Sequence, residues 1–567
     1  MADVDTEKRP GVDTQSDPEL ANTTDNETAQ AGVKGIEAAT AVWSKWDLAA
    51  AYGIIWLIYF VTSTQEVVVR TLGQFATSSF AMHSLTAATN IISSVIASVT
   101  KIPLAKILDI WGRPQGMTLM LTFWVIGFVM MAACKNVETY AAAQVFSLVG
   151  AQGVSYCVTV FVADTSSLRN RGLMLAFATS PYIVTTWIGG PMADAFMAGP
   201  GWRWGFGVFS IITPAVVVPL VLLFAWNQHK AKKLGLIPPK RGKLTLKAVK
   251  DFAIEFDLLG VLLLVSGLSL LLLSMSLWSY QREQWRAPLI ICFIVFGGVL
   301  LIIFAVYEHF FAPVNFIPLH LLTNRTVLMA NVMAFFVFVN SAIWGSYFTS
   351  MLMVAWNQSV TYATYISNIY RPGSCLSALV IGYLIRKTRR YKWVAVYFSL
   401  PLMILGVGLM IYFRHPDTNI GYIVMTQVFV AFAGGPIVVS AEIAMMAPLD
   451  HQHIAAILAV LDLFGGVGYA VGSCIAAGIW TGTFRDALVK HLPPGSKIDF
   501  IYGSLYSQLG YPKGSAIRYG IALAYAESQR HMLIGSIVAL AIAWGCAWCW
   551  RDTQLPDEKA QSKGTVA

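Results

Sequence analysis

Residues 448–472 read PLDHQHIAAILAVLDLFGGVGYAVG. His451 and His453, one residue apart, with Asp450 on their flank and Asp462 inside the apolar run that follows, are the residue types of a metal site or a proton relay. Arg371 in SNIYRPGSC and Glu442 in VVSAEIAMM also stand within apolar runs. A charge near the centre of a bilayer costs several kcal/mol, so each of them needs a partner, an aqueous cavity or a function. Cys546 and Cys549 in CAWC have redox spacing, but they lie in an apolar run of lipid length, where packed or lipid-facing thiols are expected. Seven dispersed cysteines are not a disulfide framework. No GxxxxGK[ST] motif occurs, which argues against direct ATP coupling, and no nucleophile, base and oxyanion donors group together as an enzyme would need.

The elements that must position these charges are membrane spans. The 567-residue chain is 56% hydrophobic and only 12% charged, with mean hydropathy +0.62. A soluble protein carries about twice that share of charge. An apolar helix needs about 20 residues to cross the hydrocarbon core. Stretches of that kind begin near Leu48, Leu85, Gly116, Tyr140, Gly172, Trp204, Leu258, Ala287, Thr326, Thr361, Trp393, Gly421, Ile454 and His531, which predicts fourteen spans. Lys and Arg collect in the sixth connecting loop (Lys230 to Lys250), in the tenth (RKTRRYK), and as Arg169, Arg171 and Arg113 in the fourth and second. These loops share one side, which the positive-inside rule makes cytoplasmic, with both termini. The thirteenth loop also contains bases, but long loops cross largely regardless of charge, so it is expected outside.

Residues 1–45 are polar, without a core-forming pattern, and predict a disordered cytoplasmic tail with no cleavable leader. In the sixth loop, KLTLKAVKDFAIEF sets Leu246, Val249, Phe252 and Phe256 opposite lysines, which suits either a helix on anionic lipid or a solvated linker. The same topology puts Asp450, His451 and His453 on the cytoplasmic side at the start of the thirteenth span. Asp450 is then expected to cap that helix, with solvated histidines and no metal site.

AKILDIWGRPQG in the second loop and GYLIRKTRRYK in the tenth share a four-residue spacing: Ala105, Asp109 and Arg113 overlay Gly382, Arg386 and Arg390. Two halves that repeat a charged loop suggest a transporter built by duplication. AKILDIWGR resembles the loop signature of the major facilitator superfamily, with Asp109, Gly112 and Arg113 matching, Ala105 in place of its first glycine and Pro114 in place of its trailing base. The second copy falls two spans later than in a twelve-helix member, which implies a fourteen-helix plan. LGQFATSSFAMHSL, ADTSSLRNRG, GPGWRWGFGVFSI, the DHQHIAAILAVLDLFGGVGYAVG stretch and YAESQRHMLI are similar to the fungal siderophore-iron transporters. The other fourteen-helix family, the drug-type proton antiporters, would continue WIGGP toward a glycine pair where Asp194 stands.

The resemblance implies an all-α membrane protein of the major facilitator fold, with two pseudo-symmetric six-helix halves (46–226 and 324–550) and two inserted central helices (257–307). A basic loop at 227–256, an extracellular loop at 481–530 and a cytoplasmic tail at 551–567 complete the plan. It implies a secondary active importer of ferric siderophore chelates by proton symport. A proton-coupled exporter or exchanger of drugs, toxins or glutathione stays open, as does a non-transporting nutrient receptor, although the tail after Arg551 is short for signalling. Arg371 is placed roughly 15 Å below the outer end of the tenth span, and Asp462 about 13 Å above the inner end of the thirteenth. Arg371 is therefore expected at the chelate, with Tyr370, Tyr156 and Tyr182, and Asp462 or Glu442 at the coupling proton. A fixed ion pair of Arg371 with a carboxylate, serving only to register helices, is the alternative. Pro372 is expected to bend its helix.

Asp109, Gly112 and Arg113 are expected to form a conformational latch. Asp109, Asp164, Asp257 and Glu308 lie at span ends, where they are expected to reach water. Glu66 and Arg70, four apart, are expected to pair on the outer end of the first span. Tyr502, Tyr506 and Tyr511, with Tyr519, are expected to gate the outer mouth, as the aromatic loop of similar transporters does. Ferric siderophore, protons and the lipid bilayer are the expected partners of a monomer in the plasma membrane or an endosomal or vacuolar one. Since iron would travel inside its chelator, no protein metal ligands are expected, nor any cofactor or nucleic acid.

Overall fold

The computed structural model describes residues 43–79, 86–110, 112–166, 168–234, 257–278, 281, 283–312, 322–448, 454–503 and 505–555. All regular structure among them is helical. In a bilayer every backbone N–H and C=O must be satisfied within its own span, and an apolar helix does this while offering lipid its side chains. The first group is α1 (Lys45–Ser79), α2 (Thr86–Ile110), α3 (Arg113–Ala133), α4 (Val137–Thr165), α5 (Leu168–Thr179), α6 (Tyr182–Ala198) and α7 (Trp202–Lys233). Next come α8 (Leu258–Leu277) and α9 (Pro288–Phe310). The second group is α10 (Arg325–Gly345), α11 (Phe348–Ala355), α12 (Val360–Ser367), α13 (Tyr370–Thr388), α14 (Leu400–Phe413, entered by a π turn at Val394–Ser399), α15 (Ile420–Met446) and α16 (Ile454–His491). It ends with α17 (Ile498–Gly503), α18 (Leu505–Leu509) and α19 (Ala516–Trp548).

Among the described residues, twelve segments are long and apolar enough to cross a membrane. The other two of the fourteen predicted spans are α2, whose described apolar run is Ile92–Lys101, and the broken pair α12 and α13. The stretch α13 falls short because it carries Arg371, Arg386 and Lys387. Helix starts fall where polar side chains replace the missing backbone partners. Asn136 accepts from the Thr139 amide at 2.9 Å, Ser359 from that of Tyr362 at 3.2 Å and Asn419 from that of Gly421 at 2.8 Å. Strand-free, lipid-facing surface is plainest on α9, where Ile291, Val295, Phe296, Val299 and Ile302 are all exposed.

Two large cores hold the bundle. One is built from α1 to α7 with sides of α8 and α16, the other from α10, α13, α14, α15 and α19. The groups meet along two seams, α2 against α16, and α5 with α6 against α12 and α13, while α8 leans on α2 and α16. Trp43, near the start of the described chain, meets Phe224 edge-on, and Leu555 near its end donates from its amide to the Arg389 carbonyl at 3.0 Å. The face bearing these ends is called the terminal face below, and its opposite the distal face.

Residues 481–530 are mostly helical, in place of the predicted loop: α16 runs on to His491, α19 begins at Ala516, and α17 and α18 lie between. Aromatic burial stabilises this extension. Trp480 stacks on Tyr347 and on Phe484, each with ring centroids 4.0 Å apart, and the cluster continues through Tyr525 and Ile501. Asp257 and Glu308 are buried, where span ends in water were expected; Asp257 turns back to cap α8 and accepts from the Gly260 amide at 3.2 Å. The 1–42 tail, most of the sixth loop, Asp450, His451 and His453, and the side chains of Asp109 and Tyr506 lie outside the described residues.

Candidate functional site

Two spans that face each other across a seam are both interrupted midway. The fifth breaks at Ser180–Pro181, between α5 and α6, and the tenth at Asn368–Ile369, between α12 and α13. The breaks touch, since the Cys375 thiol donates to the Thr179 carbonyl at 3.2 Å. Tyr182 therefore opens α6 and Arg371 lies in the first turn of α13. Pro372 occupies that same first turn, where a missing N–H costs nothing, so the chain breaks before the proline rather than bending at it.

Arg371 does not reach Asp462 or Glu442. Its Nη2 pairs with Glu66 Oε1 of α1 at 2.7 Å, and its guanidinium lies 5.2 Å from the centre of the Tyr182 ring. Glu66 thus serves the opposite half, with Arg70, its expected partner, also within electrostatic reach. Arg371 Nη1 is buried with no partner. The Arg371 side chain is 12% exposed and that of Glu66 51%, although Glu66 sits mid-bundle. A side chain that is deep and yet open faces a cavity. Tyr59 lies against Tyr182, ring centroids 6.3 Å apart, and its hydroxyl meets that of Ser155 at 3.4 Å.

Nearer the terminal face, Asp462 Oδ2 pairs with Lys101 Nζ of α2 at 2.9 Å. Asp462, one of the two acids expected at the coupling proton, is thus in an ion pair across the halves. Glu442 of α15 is partly exposed and within electrostatic reach of Asp462. Of the four predicted binding residues, then, Arg371 and Tyr182 come together. Tyr156 is buried in the first core. Tyr370 packs into the space left by Gly434, between α13 and α15.

At the latch, Arg113 donates from Nε (3.2 Å) and Nη2 (2.9 Å) to Asp164 Oδ2 of α4, and both side chains are buried rather than reaching water. Gly112, at φ 107°, gives the positive-φ turn that admits this arginine into α3. At the distal face Tyr519 donates to Asp417 at 2.9 Å, Tyr502 stacks near Phe484, and Tyr511 is partly buried in the aromatic cluster. There too, Thr361 of α12 bonds Asp194 of α6, and Tyr365 donates to the Trp187 carbonyl at 3.3 Å. Among the described residues no three His, Cys, Asp or Glu side chains group as metal ligands.

Two helical halves joined by ion pairs at the wall of a shared cavity define a polytopic membrane transporter. The family model described as Major Facilitator Superfamily matches residues 48–473. The MFS siderochrome iron transporter 1 of Ajellomyces capsulatus is 52% identical over 541 residues, 95% of this chain and 92% of its own. Transporter D of Aspergillus fumigatus is 44% identical over 547 residues, 95% and 90% of the two chains. Siderophore iron transporter mirB of Emericella nidulans is 40% identical over 521 residues, 91% and 86%. The chain belongs to the major facilitator superfamily and, within it, to the family of siderochrome iron transporters, which are transport proteins and not enzymes. Solved structures agree on the fold. A bacterial homologue of the human lysosomal transporter Spinster, inward-facing and unoccupied, aligns with TM-score 0.52 at 15% identity, over 90% of this chain and 98% of its own. The proton:xylose symporter XylE aligns with TM-score 0.51 at 12% identity, over 89% and 96%.

Proposed function

We propose that this protein imports ferric siderophore chelates by alternating access, in symport with protons, as a monomer with both termini in the cytoplasm of a cell bounded by the membrane it spans. The substrate class rests on the similarity to siderochrome transporters over nearly the whole chain. The observation that carries the site is Arg371: one arm of its guanidinium is tied to Glu66 across the halves and the other, Nη1, is buried and unpartnered beside the seam. When the halves part, that unpartnered arm would offer an N–H to the carbonyl or acidic oxygens of a chelate, with the Tyr182 ring beside it. Iron stays within its chelator throughout, so the protein need only grip the organic surface.

For the proton we favour Glu442 over Asp462. Asp462 is held in an ion pair by Lys101, whereas Glu442 is a partly exposed carboxyl of α15 that makes no ion pair among the described residues. Tyr502 and Tyr511, with Tyr506, form a first docking surface at the distal, outward face. The test is uptake of radiolabelled iron on a panel of siderophores, in cells lacking their own transporters, with and without a protonophore. Accumulation of at least one chelate, abolished by the protonophore, is expected. Outward movement only, or uptake indifferent to the protonophore, overturns import or symport respectively. Glu442→Gln is expected to leave residual uptake insensitive to the protonophore.

A further inference from the structure

Lys101 is a second buried cation at the seam, beside Arg371. It stands within α2, in the first half, with its side chain nine-tenths buried. Its partner Asp462 belongs to α16, in the second half, so the 2.9 Å ion pair crosses the seam between the two bodies that alternating access must move. The seam is tight at this level. One turn along both helices, Ser98 lies against Gly466, and a Cβ at Gly466 would collide with the Ser98 hydroxyl. Ser98 is itself bonded to the Ser94 carbonyl at 2.8 Å and makes no polar bond across the seam. At this contact the attraction between the helices therefore comes from the charge pair.

The two ends are unequally placed. The Asp462 side chain is 42% exposed, toward the cavity, while that of Lys101 is 10% exposed. Opening the seam leaves Asp462 in water and leaves Lys101 without a counter-ion unless water follows it.

We propose that Lys101 is a positioning residue of the transport cycle: with Asp462 it forms a charge lock that fastens α2 to α16 and must open for the halves to part there. The lock rests on the reading of the chain as an alternating-access transporter, and not on the identity of the chelate or the coupling ion. Each turnover would break and remake the pair, so the strength of the lock sets how often the seam opens.

The test needs no substrate. In the full-length protein, Ser98→Cys places a thiol against Gly466, and its rate of modification by N-ethylmaleimide, followed on the peptide containing residue 98, reports opening of the seam. Lys101→Met is expected to raise that rate on the order of tenfold, since it removes a charge-assisted contact but leaves a carboxylate that the cavity hydrates. Lys101→Arg is expected to keep the slow rate, and the exchange Lys101→Asp with Asp462→Lys to restore it. Asp462→Asn strands a buried cation and is expected to lower yield, so the exchange and the arginine variant carry the decision. A monodisperse Lys101→Met protein labelled at the unmodified rate overturns the lock, as does an exchange variant labelled as fast as Lys101→Met. Wild-type protein that carries no ferric chelate would overturn the proposed import and leave this reading intact.

Discussion

At the residue scale the two cross-half ion pairs are mirror images in charge: the first half gives Glu66 and Lys101, the second Arg371 and Asp462. In each pair the cation is buried and the carboxylate opens to the cavity. Removing the carboxylate leaves a buried, unpaired cation, which is strongly destabilising; removing the cation leaves a carboxylate that water can solvate. Glu66→Gln is therefore expected to lower thermal stability more than Arg371→Gln. Arg371→Gln, for its part, is expected to weaken chelate affinity by ~10-fold or more, the loss of a charge-assisted hydrogen bond. Thermal unfolding of both purified variants beside uptake kinetics checks this, and a larger thermal loss in Arg371→Gln would reverse the burial argument. The need of Arg371 for a partner was legible in the sequence from its depth in an apolar span. Its partner was not, because Glu66 also had Arg70 one turn away, and local spacing ranks that neighbour first. Lys101 stood in view inside ASVTKIP, and its cost in an apolar run was the signal that could have found it.

At the element scale, function lies in interruptions. The breaks at Ser180–Pro181 and Asn368–Ile369 bring the starts of α6 and α13 to the middle of the bundle and point Tyr182 and Arg371 at one another. Proline in SPYIV and YRPGS hinted at both, but only the packed spans show that the two breaks are neighbours. Glycines set how closely the helices beside them approach. At Gly435 of α15 a Cβ would strike the Ser374 carbonyl of α13, a backbone atom that cannot swing aside. Gly435→Ala is expected to cost about 1–3 kcal/mol through overpacking. Gly482→Ala, with open space around the added carbon in α16, is expected to be neutral or to stabilise by up to about 1 kcal/mol from helix propensity. Paired thermal unfolding curves decide it, and equal shifts in the two variants would remove the steric explanation. The aromatic cluster of Trp480, Phe484 and Tyr525 explains why 481–530 folds as extended helix ends: Lys490 pairs with Glu527 on its exposed side, while buried Arg518 donates to the Met353 and Val354 carbonyls, tertiary contacts that a sliding reading of hydropathy does not register.

At the scale of the whole molecule, the fourteen crossings expected from the sequence would return the chain to the face from which it started; among the described residues twelve segments are long and apolar enough to cross, beside α2 and the pair α12 and α13. Epitope tags at residues 1 and 567 are accordingly expected to be shielded from antibody in intact cells and both accessible after permeabilisation; one tag exposed in intact cells would mean an odd number of crossings. The amino-acid sequence by itself determined that this is a polytopic helical membrane protein and a member of the superfamily, because transfer into lipid depends on local composition and span length. Tertiary structure alone decided which charges neutralise which, that Tyr156 is core and not wall, and that Asp462 is held by Lys101. Those outcomes depend on contacts between residues far apart in the chain, where a buried charge takes whichever counter-ion the packed helices bring within about 4 Å, and no local pattern encodes that distance.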